Sequence, residues 1–227
     1  MKRTFSAIAS ELNIPFFENF RSAERRPILP SGIYFDDHCL YPDYFSQMNV
    51  SGLRMIRDPR DVVISGAHYH CIAKEDWLNK PSDRFQKRSY QQAISRLNSD
   101  QEKYRFEMKY TADQTIKGMV AKNEVSSLLN TIYYEDLIAD DQGFYFASVV
   151  GELGFNTHET EIATKCFKRH SLPTHNRRFE TLHIRSGVAG QWRTAYDKKT
   201  ALLFHDLHQQ SLIELGYETD DSWLDLF

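Results

Sequence analysis

The sequence has little cysteine, no long apolar run and no excess of positive charge. Its three cysteines (Cys39, Cys71 and Cys166) are too few and too scattered for a disulfide framework, which predicts a reducing compartment and a cytoplasmic protein. No apolar run is long enough to cross a bilayer, and Met1 opens no signal-peptide pattern, so we expect no membrane attachment. A net charge of −3 and a pI near 6.3 argue against nucleic acid as a main partner.

A Gly-x-x-x-x-Gly-Lys-Ser/Thr loop, the usual cradle for nucleotide phosphates, is also absent from the sequence. What is present is typical of a folded globular protein, with 41% hydrophobic and 13% aromatic residues in 227. That length predicts one domain covering residues 1–227. Short β-rich runs at Gly32–Phe35, Leu53–Ile56 and Val125–Tyr134 alternate with helical patterns. Together they predict an α/β fold with a central, mainly parallel sheet flanked by helices.

The most informative stretch is LRMIRDPRDVVISGAHY, residues 53–69. Its apolar start predicts a buried strand, and Asp58-Pro59 predicts the N-cap and first position of a helix. Arg57 would then lie at the carboxyl end of the strand, where ligands bind in open α/β sheets, with Ser65 two turns into the helix. Asp61 would share a helix face with Ser65. A surface turn before an ordinary amphipathic helix is the alternative interpretation.

This stretch resembles the 3′-phosphate-binding motif of the sulfotransferases, which use 3′-phosphoadenosine 5′-phosphosulfate (PAPS). In that family an Arg at a strand end and a Ser eight residues later, as Arg57 and Ser65 are here, hold the 3′-phosphate of the cofactor. The guanidinium group suits this role because it is a permanent cation with forked donors.

Two later motifs extend the resemblance to the C-terminus. Tyr134, in Tyr-Tyr-Glu-Asp-Leu at a predicted strand end, matches a family Tyr near the adenine side of the cofactor, although a half-buried Tyr before an acidic helix start is the alternative. The segment from His183 to Arg193 resembles the loop that closes over the 3′-phosphate. Arg185 and Gly187 match that loop, and Ser186 stands where the family usually has Lys. An ordinary glycine turn that packs Trp192 is the other interpretation.

The resemblance implies a P-loop NTPase-like sulfotransferase fold and a sulfuryl transfer that leaves adenosine 3′,5′-bisphosphate (PAP) as product. It also implies a small-molecule or carbohydrate acceptor and no metal. His68 and His70, on alternate helix positions, do not predict a metal site. Phe167 is similar to a family Phe that packs on adenine, with a core aromatic as the alternative. The oligomeric state is left open.

The family's second phosphate loop, Lys-x-Gly-Thr, has no counterpart in this sequence, which begins almost directly in a helix. Three explanations stay open: a true start further upstream, a partner element that completes the site, or nucleotide binding without transfer. Lys2 is the cation that could replace the loop lysine at the leaving phosphate. His38, which follows a predicted short strand as the family's base does, is the predicted base, and a plain loop residue beside Asp36 and Asp37 is the alternative interpretation.

The sequence therefore predicts a sulfotransferase, with two rival functions. One is a non-catalytic protein that binds PAP or PAPS and has lost the phosphosulfate loop. The other is a related kinase that prefers ATP.

Overall fold

The computed structural model of the protein describes residues 1–18, 31–36, 48–121, 125–171 and 187–227. In these ranges the helices and strands follow in this order: α1 (Lys2–Glu11), β1 (Phe16–Glu18), β2 (Ile33–Phe35), β3 (Gly52–Ile56), α2 (Pro59–Ile72), β4 (Pro81–Ser82), β5 (Arg88–Ser89), α3 (Tyr90–Ser95), α4 (Asp100–Lys109), α5 (Thr111–Val120), β6 (Leu129–Tyr133), α6 (Tyr134–Ala139), α7 (Phe144–Glu152), α8 (Thr157–His170), α9 (Trp192–Ala195) and α10 (Lys198–Glu214). The predicted mixed α/β class is confirmed.

The described strands form three two-stranded sheets, and the parallel pairing that the sequence predicts is present in two of them. β1 pairs with β2 and β3 pairs with β6, both in parallel, whereas β4 and β5 are antiparallel. In the described ranges the strands thus form short separate pairs, two of them parallel, and not the one central sheet that the sequence predicts. In register, Ile56 lies opposite Tyr133, so β3 and β6 end level with each other.

The chain divides into two compact units. The first comprises the described residues of Met1–Ile56 and Lys122–Arg178, and it holds α1, β1–β3 and β6–α8. α8 packs against α1 and α7 in this unit. Its core consists of apolar side chains from these helices and from β6, namely Ile8, Ile132, Leu137, Phe146, Val149, Val150, Ala163, Cys166 and Phe167.

The second unit comprises the described residues of Arg57–Ala121 and Phe179–Phe227. α2 is its central element and packs against α3, α4, α5 and α10. Gly66 lets α2 approach α4 closely, because a Cβ at this position would lie 2.7 Å from Oε1 of Glu107. Glu107 is itself buried, and its Oε2 accepts a hydrogen bond from Tyr90 (2.7 Å) and faces His70 Nδ1 at 3.0 Å. Buried polar groups paired in this way fix the contact between α2, α3 and α4.

Within the described residues, no helix combines the length and the apolar character that a membrane crossing requires.

Candidate functional site

The site is built on the turn that joins β3 to α2. Asp58 is the N-cap of α2, and its Oδ1 accepts a hydrogen bond from the backbone N–H of Arg60 at 2.9 Å. Pro59 occupies the first helical position, where a missing N–H costs nothing. Such a cap contributes about 1 kcal/mol to helix stability. The predicted strand, turn and helix are therefore confirmed, and they fix Arg57 between the last strand residue and the cap.

Arg57 and Ser65 come together as the sequence predicts. Nη1 of Arg57 donates a hydrogen bond to Oγ of Ser65 at 2.8 Å, across two turns of α2. The Arg57 side chain keeps 20% of its surface exposed and Ser65 is half-buried, so solvent reaches this pair. A guanidinium group and a serine hydroxyl at one point are donors suited to an anionic oxygen.

Asp61 lies beneath this pair and is fully buried. Its Oδ2 accepts a hydrogen bond from the backbone N–H of Gly190 (2.7 Å), and its Oδ1 accepts one from that of Trp192 (3.1 Å). Oδ2 also lies 3.8 Å from Nη2 of Arg57. One carboxylate thus ties the segment before α9 to the helix that carries Arg57 and Ser65.

The charge of Asp61 is costly in this position. Burial raises the pKa of its carboxyl group, and this effect outweighs the opposing effects of the Arg57 charge and of the two backbone hydrogen bonds. Asp61 nevertheless accepts the hydrogen bonds of the Gly190 and Trp192 amides, and within the described part of the chain these two N–H groups donate to no other acceptor.

Two glycines of the tied segment have a left-handed backbone conformation. Gly187 has φ of +61° and Gly190 has φ of +72°, left-handed values that glycine adopts without steric cost. Glycine at such a position also permits a ligand to approach the backbone closely, which the predicted role of Gly187 requires.

Arg60, three residues after Arg57, has a different role. Its guanidinium group donates to both carboxylate oxygens of Asp58 (3.0 and 2.9 Å) and lies 2.6 Å from Oε1 of Glu218. It stacks 3.6 Å from the ring centroid of Trp192 and 5.0 Å from that of Trp223. Only 1% of Arg60 is exposed. We call this group of five residues the Arg60 cage.

Three predicted site residues, His38, Arg185 and Ser186, lie outside the described residues. Their roles remain predictions. Gly187 is the first residue that the structure describes after residue 171. Three residues later, the backbone N–H of Gly190 donates a hydrogen bond to Asp61.

The remaining predicted residues belong to the first unit. Tyr134 is half-buried at the start of α6, directly after β6. Lys2 begins α1 and forms an ion pair with Glu18 at 2.5 Å. Phe167 is 3% exposed and stacks on Phe146 with ring centroids 4.4 Å apart. This packing agrees with the alternative interpretation of Phe167 as a core aromatic, so Phe167 is not part of the proposed site.

Sequence reasoning did not identify the anchoring role of Asp61 or the burial of Arg60. It placed Asp61 on the face of Ser65, but its partners Gly190 and Trp192 are about 130 residues away, so no local pattern indicates them. A signal for Arg60 was present: an arginine two residues after a capping aspartate can fold back on it.

No group of three histidine, cysteine, aspartate or glutamate side chains in the described ranges has the geometry of a metal site. Comparison of the chain with family models, with curated proteins and with solved structures gives no significant match.

Proposed function

We propose that the protein is a sulfotransferase that moves a sulfuryl group from PAPS to an acceptor hydroxyl or amine. The observation that carries this proposal is the hydrogen bond between Arg57 and Ser65 at the start of α2. Arg57 and Ser65 hold the 3′-phosphate, with Arg185, Ser186 and the backbone of Gly187 completing the site from the segment that Asp61 anchors. Tyr134 contacts the adenosine.

The anchoring by Asp61 supports this arrangement. Gly190 is bound to the carboxylate that also faces Arg57, and Gly187 is only three residues before Gly190. Three residues span at most about 11 Å, which supports the proposed place of the Gly187 backbone close to the Arg57 site.

In the proposed reaction, the acceptor oxygen attacks sulfur in line with the bond to the leaving phosphate. The new sulfur–oxygen bond forms as the bridging bond breaks, and the electron pair of the broken bond stays on PAP. The acceptor proton passes to His38. Catalysis would come mostly from alignment and from cations placed near the departing oxygen. Lys2 is the proposed cation at that oxygen.

A second function, binding of PAP without transfer, is favoured by one observation. Lys2 already pairs with Glu18 at 2.5 Å. A cation engaged by a carboxylate neutralises a leaving group less well than an unengaged one. If this pair persists with nucleotide bound, the chain would hold PAP and not turn over PAPS.

The binding experiment compares PAP with adenosine 5′-monophosphate by calorimetry, because the two differ only in the 3′-phosphate. We expect Arg57→Ala to weaken PAP binding by about 10- to 100-fold, the usual range for a lost charge-assisted hydrogen bond. Ser65→Ala should weaken it less, by about fivefold for a neutral donor. Neither change should alter binding of the monophosphate.

Arg96→Ala is the matched control, since Arg96 is an exposed arginine in the same unit. It should leave PAP affinity unchanged. Equal affinity for PAP and adenosine 5′-monophosphate in the wild type would contradict the 3′-phosphate site. Transfer of labelled sulfate from PAPS to a panel of phenols, sugars and amines then separates the two functions: binding without transfer supports the non-catalytic protein.

A further inference from the structure

A second group of cations lies elsewhere in the second unit, along α4 and α10. These helices line an open cavity of about 630 Å³. Its walls carry four cationic side chains, one carboxylate and two leucines: Arg105, Lys109, Lys198, Lys199, Asp206, Leu202 and Leu203. Small-molecule sites usually enclose about 300–1,000 Å³, so this cavity has the size of one.

Arg105 is held in place by a network that joins the two helices. Its Nη1 donates to Oγ1 of Thr200 at 2.8 Å and lies 3.5 Å from the carboxylate of Asp197. Thr200 is fully buried and donates to Gln101 at 2.7 Å. An arginine fixed by a buried partner loses little further freedom when it binds an anion.

The other cations are grouped in a way that costs stability. Lys109 lies one turn after Arg105 on α4, and like charges at this spacing repel. Lys198 and Lys199 occupy the first turn of α10, where the helix dipole disfavours cations and no acidic residue follows the cap. The cap residue Asp197 accepts a hydrogen bond from the backbone N–H of Thr200 (2.7 Å) and pairs with Arg105, so its charge is shared between these groups and Lys199. An anion in the cavity would relieve both repulsions.

The other part of the cavity is apolar. Leu202 follows Lys198 by one turn and is 44% exposed, and Leu203 lies beside it. Asp206 is one further turn along α10, about 12 Å from Lys198 at 1.5 Å per residue. Leucine side chains therefore separate Lys198 and Lys199 from the carboxylate, so an anionic head and an apolar chain can lie side by side in the cavity. Lys109 lies toward the Asp206 end of the cavity, because the backbone oxygen of the preceding Met108 is 3.2 Å from Nε2 of His208.

We propose that this cavity binds a phosphate or sulfate monoester that carries a short apolar chain. The anionic head lies against Arg105, Lys198 and Lys199, and the chain lies over Leu202 and Leu203. This site is separate from that of Arg57 and does not depend on the proposed sulfotransferase function.

Calorimetry with octyl phosphate, inorganic phosphate and octyl glucoside at 50 mM salt tests the proposal on the full chain. We expect saturable binding of octyl phosphate, at least tenfold weaker binding of inorganic phosphate, and none of octyl glucoside. Binding should weaken at 500 mM salt because the charges are exposed. Equal affinity for octyl phosphate and inorganic phosphate, or no saturable binding, would overturn the proposal.

The double variant Lys198→Gln, Lys199→Gln should weaken octyl phosphate binding by about tenfold or more. Leu202→Gln should reduce only the preference for the alkyl ester over inorganic phosphate. All three side chains are exposed, so the variants should fold, and thermal unfolding checks this. Lys117→Gln, at an exposed lysine of α5, is the matched control and should bind as the wild type does.

Arg57→Ala should retain octyl phosphate binding, and its loss there would assign the probe to the Arg57 site and sink the proposal. A final arm with phosphatidic acid vesicles identifies the source of the ligand. Binding to octyl phosphate alone indicates a free ester, and binding to both probes indicates a lipid headgroup. Wild-type affinity in the Lys198 and Lys199 double variant would contradict either assignment.

Discussion

Two arginines three residues apart, Arg57 and Arg60, flank the same helix cap and differ in almost every physical respect. Arg60 is 1% exposed and is enclosed by two carboxylates and two tryptophan rings. The side chain of Arg57 is 20% exposed and donates a hydrogen bond to Ser65 at 2.8 Å. Both come from the short sequence Arg-Asp-Pro-Arg-Asp.

The comparison shows that two arginines in one turn can differ sharply in burial: one charge is enclosed and structural, and the other is partly exposed. A buried guanidinium must be fully paired, since an uncompensated charge in the interior costs several kcal/mol. The charge of Arg60 is compensated by the carboxylates of Asp58 and Glu218, and its side chain is almost wholly buried. The Arg57 side chain is partly exposed, lies 3.8 Å from Asp61 and donates a hydrogen bond to the Ser65 hydroxyl.

The largest expected effect is the loss of stability on removing Arg60. Arg60→Ala should lower the free energy of unfolding by about 3–5 kcal/mol, because Asp58 and Glu218 would lose their buried partner. The two tryptophans would also lose the stacked guanidinium. Urea unfolding followed by tryptophan fluorescence measures this, since Trp192 and Trp223 report directly on the cage.

Arg193→Ala is the matched control for Arg60. Arg193 is exposed, and its guanidinium carbon lies 4.4 Å from the centroid of the same Trp192 ring. At an exposed site such a contact contributes about 0.5–1 kcal/mol. An Arg60→Ala cost as small as that of Arg193→Ala would show that the cage is not structural.

Much of this region follows from local sequence. β3, the Asp58 cap, Pro59 at the first helical position and the Arg57–Ser65 pair all depend on residues within one strand and three turns. Local steric and capping preferences decide such features, so the sequence predicts them.

The rest depends on residues distant in the chain. The boundary between α4 and α5 lies at Tyr110, whose backbone (φ −124°, ψ −91°) leaves the helical region. Arg60 is buried by Glu218 and Trp223, more than 150 residues away. Local sequence patterns do not indicate partners that are distant in the chain. The pairing of short strands also depends on distant residues, so it is harder to predict than the strands themselves.

An intermediate effect is expected for Asp61, which contacts both the Arg57 region and the backbone of Trp192 in the cage. Asp61→Asn should cost about 1–2 kcal/mol of unfolding free energy. The amide can accept from only one of the two N–H groups, and the unpaired one costs about 1–3 kcal/mol. Removal of a buried charge with a raised pKa offsets part of this loss.

Amide hydrogen exchange gives the specific readout for Asp61. The N–H groups of Gly190 and Trp192 should exchange faster in Asp61→Asn, while amides in α5 should not change. Asp113→Asn serves as control, because Asp113 pairs with the exposed Lys117 at 2.8 Å and should cost less than about 1 kcal/mol. Unchanged exchange at both amides would contradict the anchoring role.

The smallest effect on stability is expected where the effect on ligand binding is largest, at Arg57. Arg57→Ala should cost less than about 1 kcal/mol at neutral pH, as for other partly exposed ion pairs.

This cost should depend on pH through Asp61. Burial raises the pKa of that carboxyl in the folded protein, so the folded state holds its proton above pH 3.8 while the unfolded state loses it, and stability falls as the pH rises through the folded pKa. The positive charge of Arg57 limits that rise in pKa, so its removal extends the loss to higher pH. Urea titrations at intervals from pH 4 to pH 8 should therefore show wild type and Arg57→Ala nearly equal at pH 4 and diverging as the pH increases. If the difference in unfolding free energy between the two proteins is constant with pH, Arg57 and Asp61 are not electrostatically coupled. Arg57 would then be independent of the buried charges, as its exposure alone suggests.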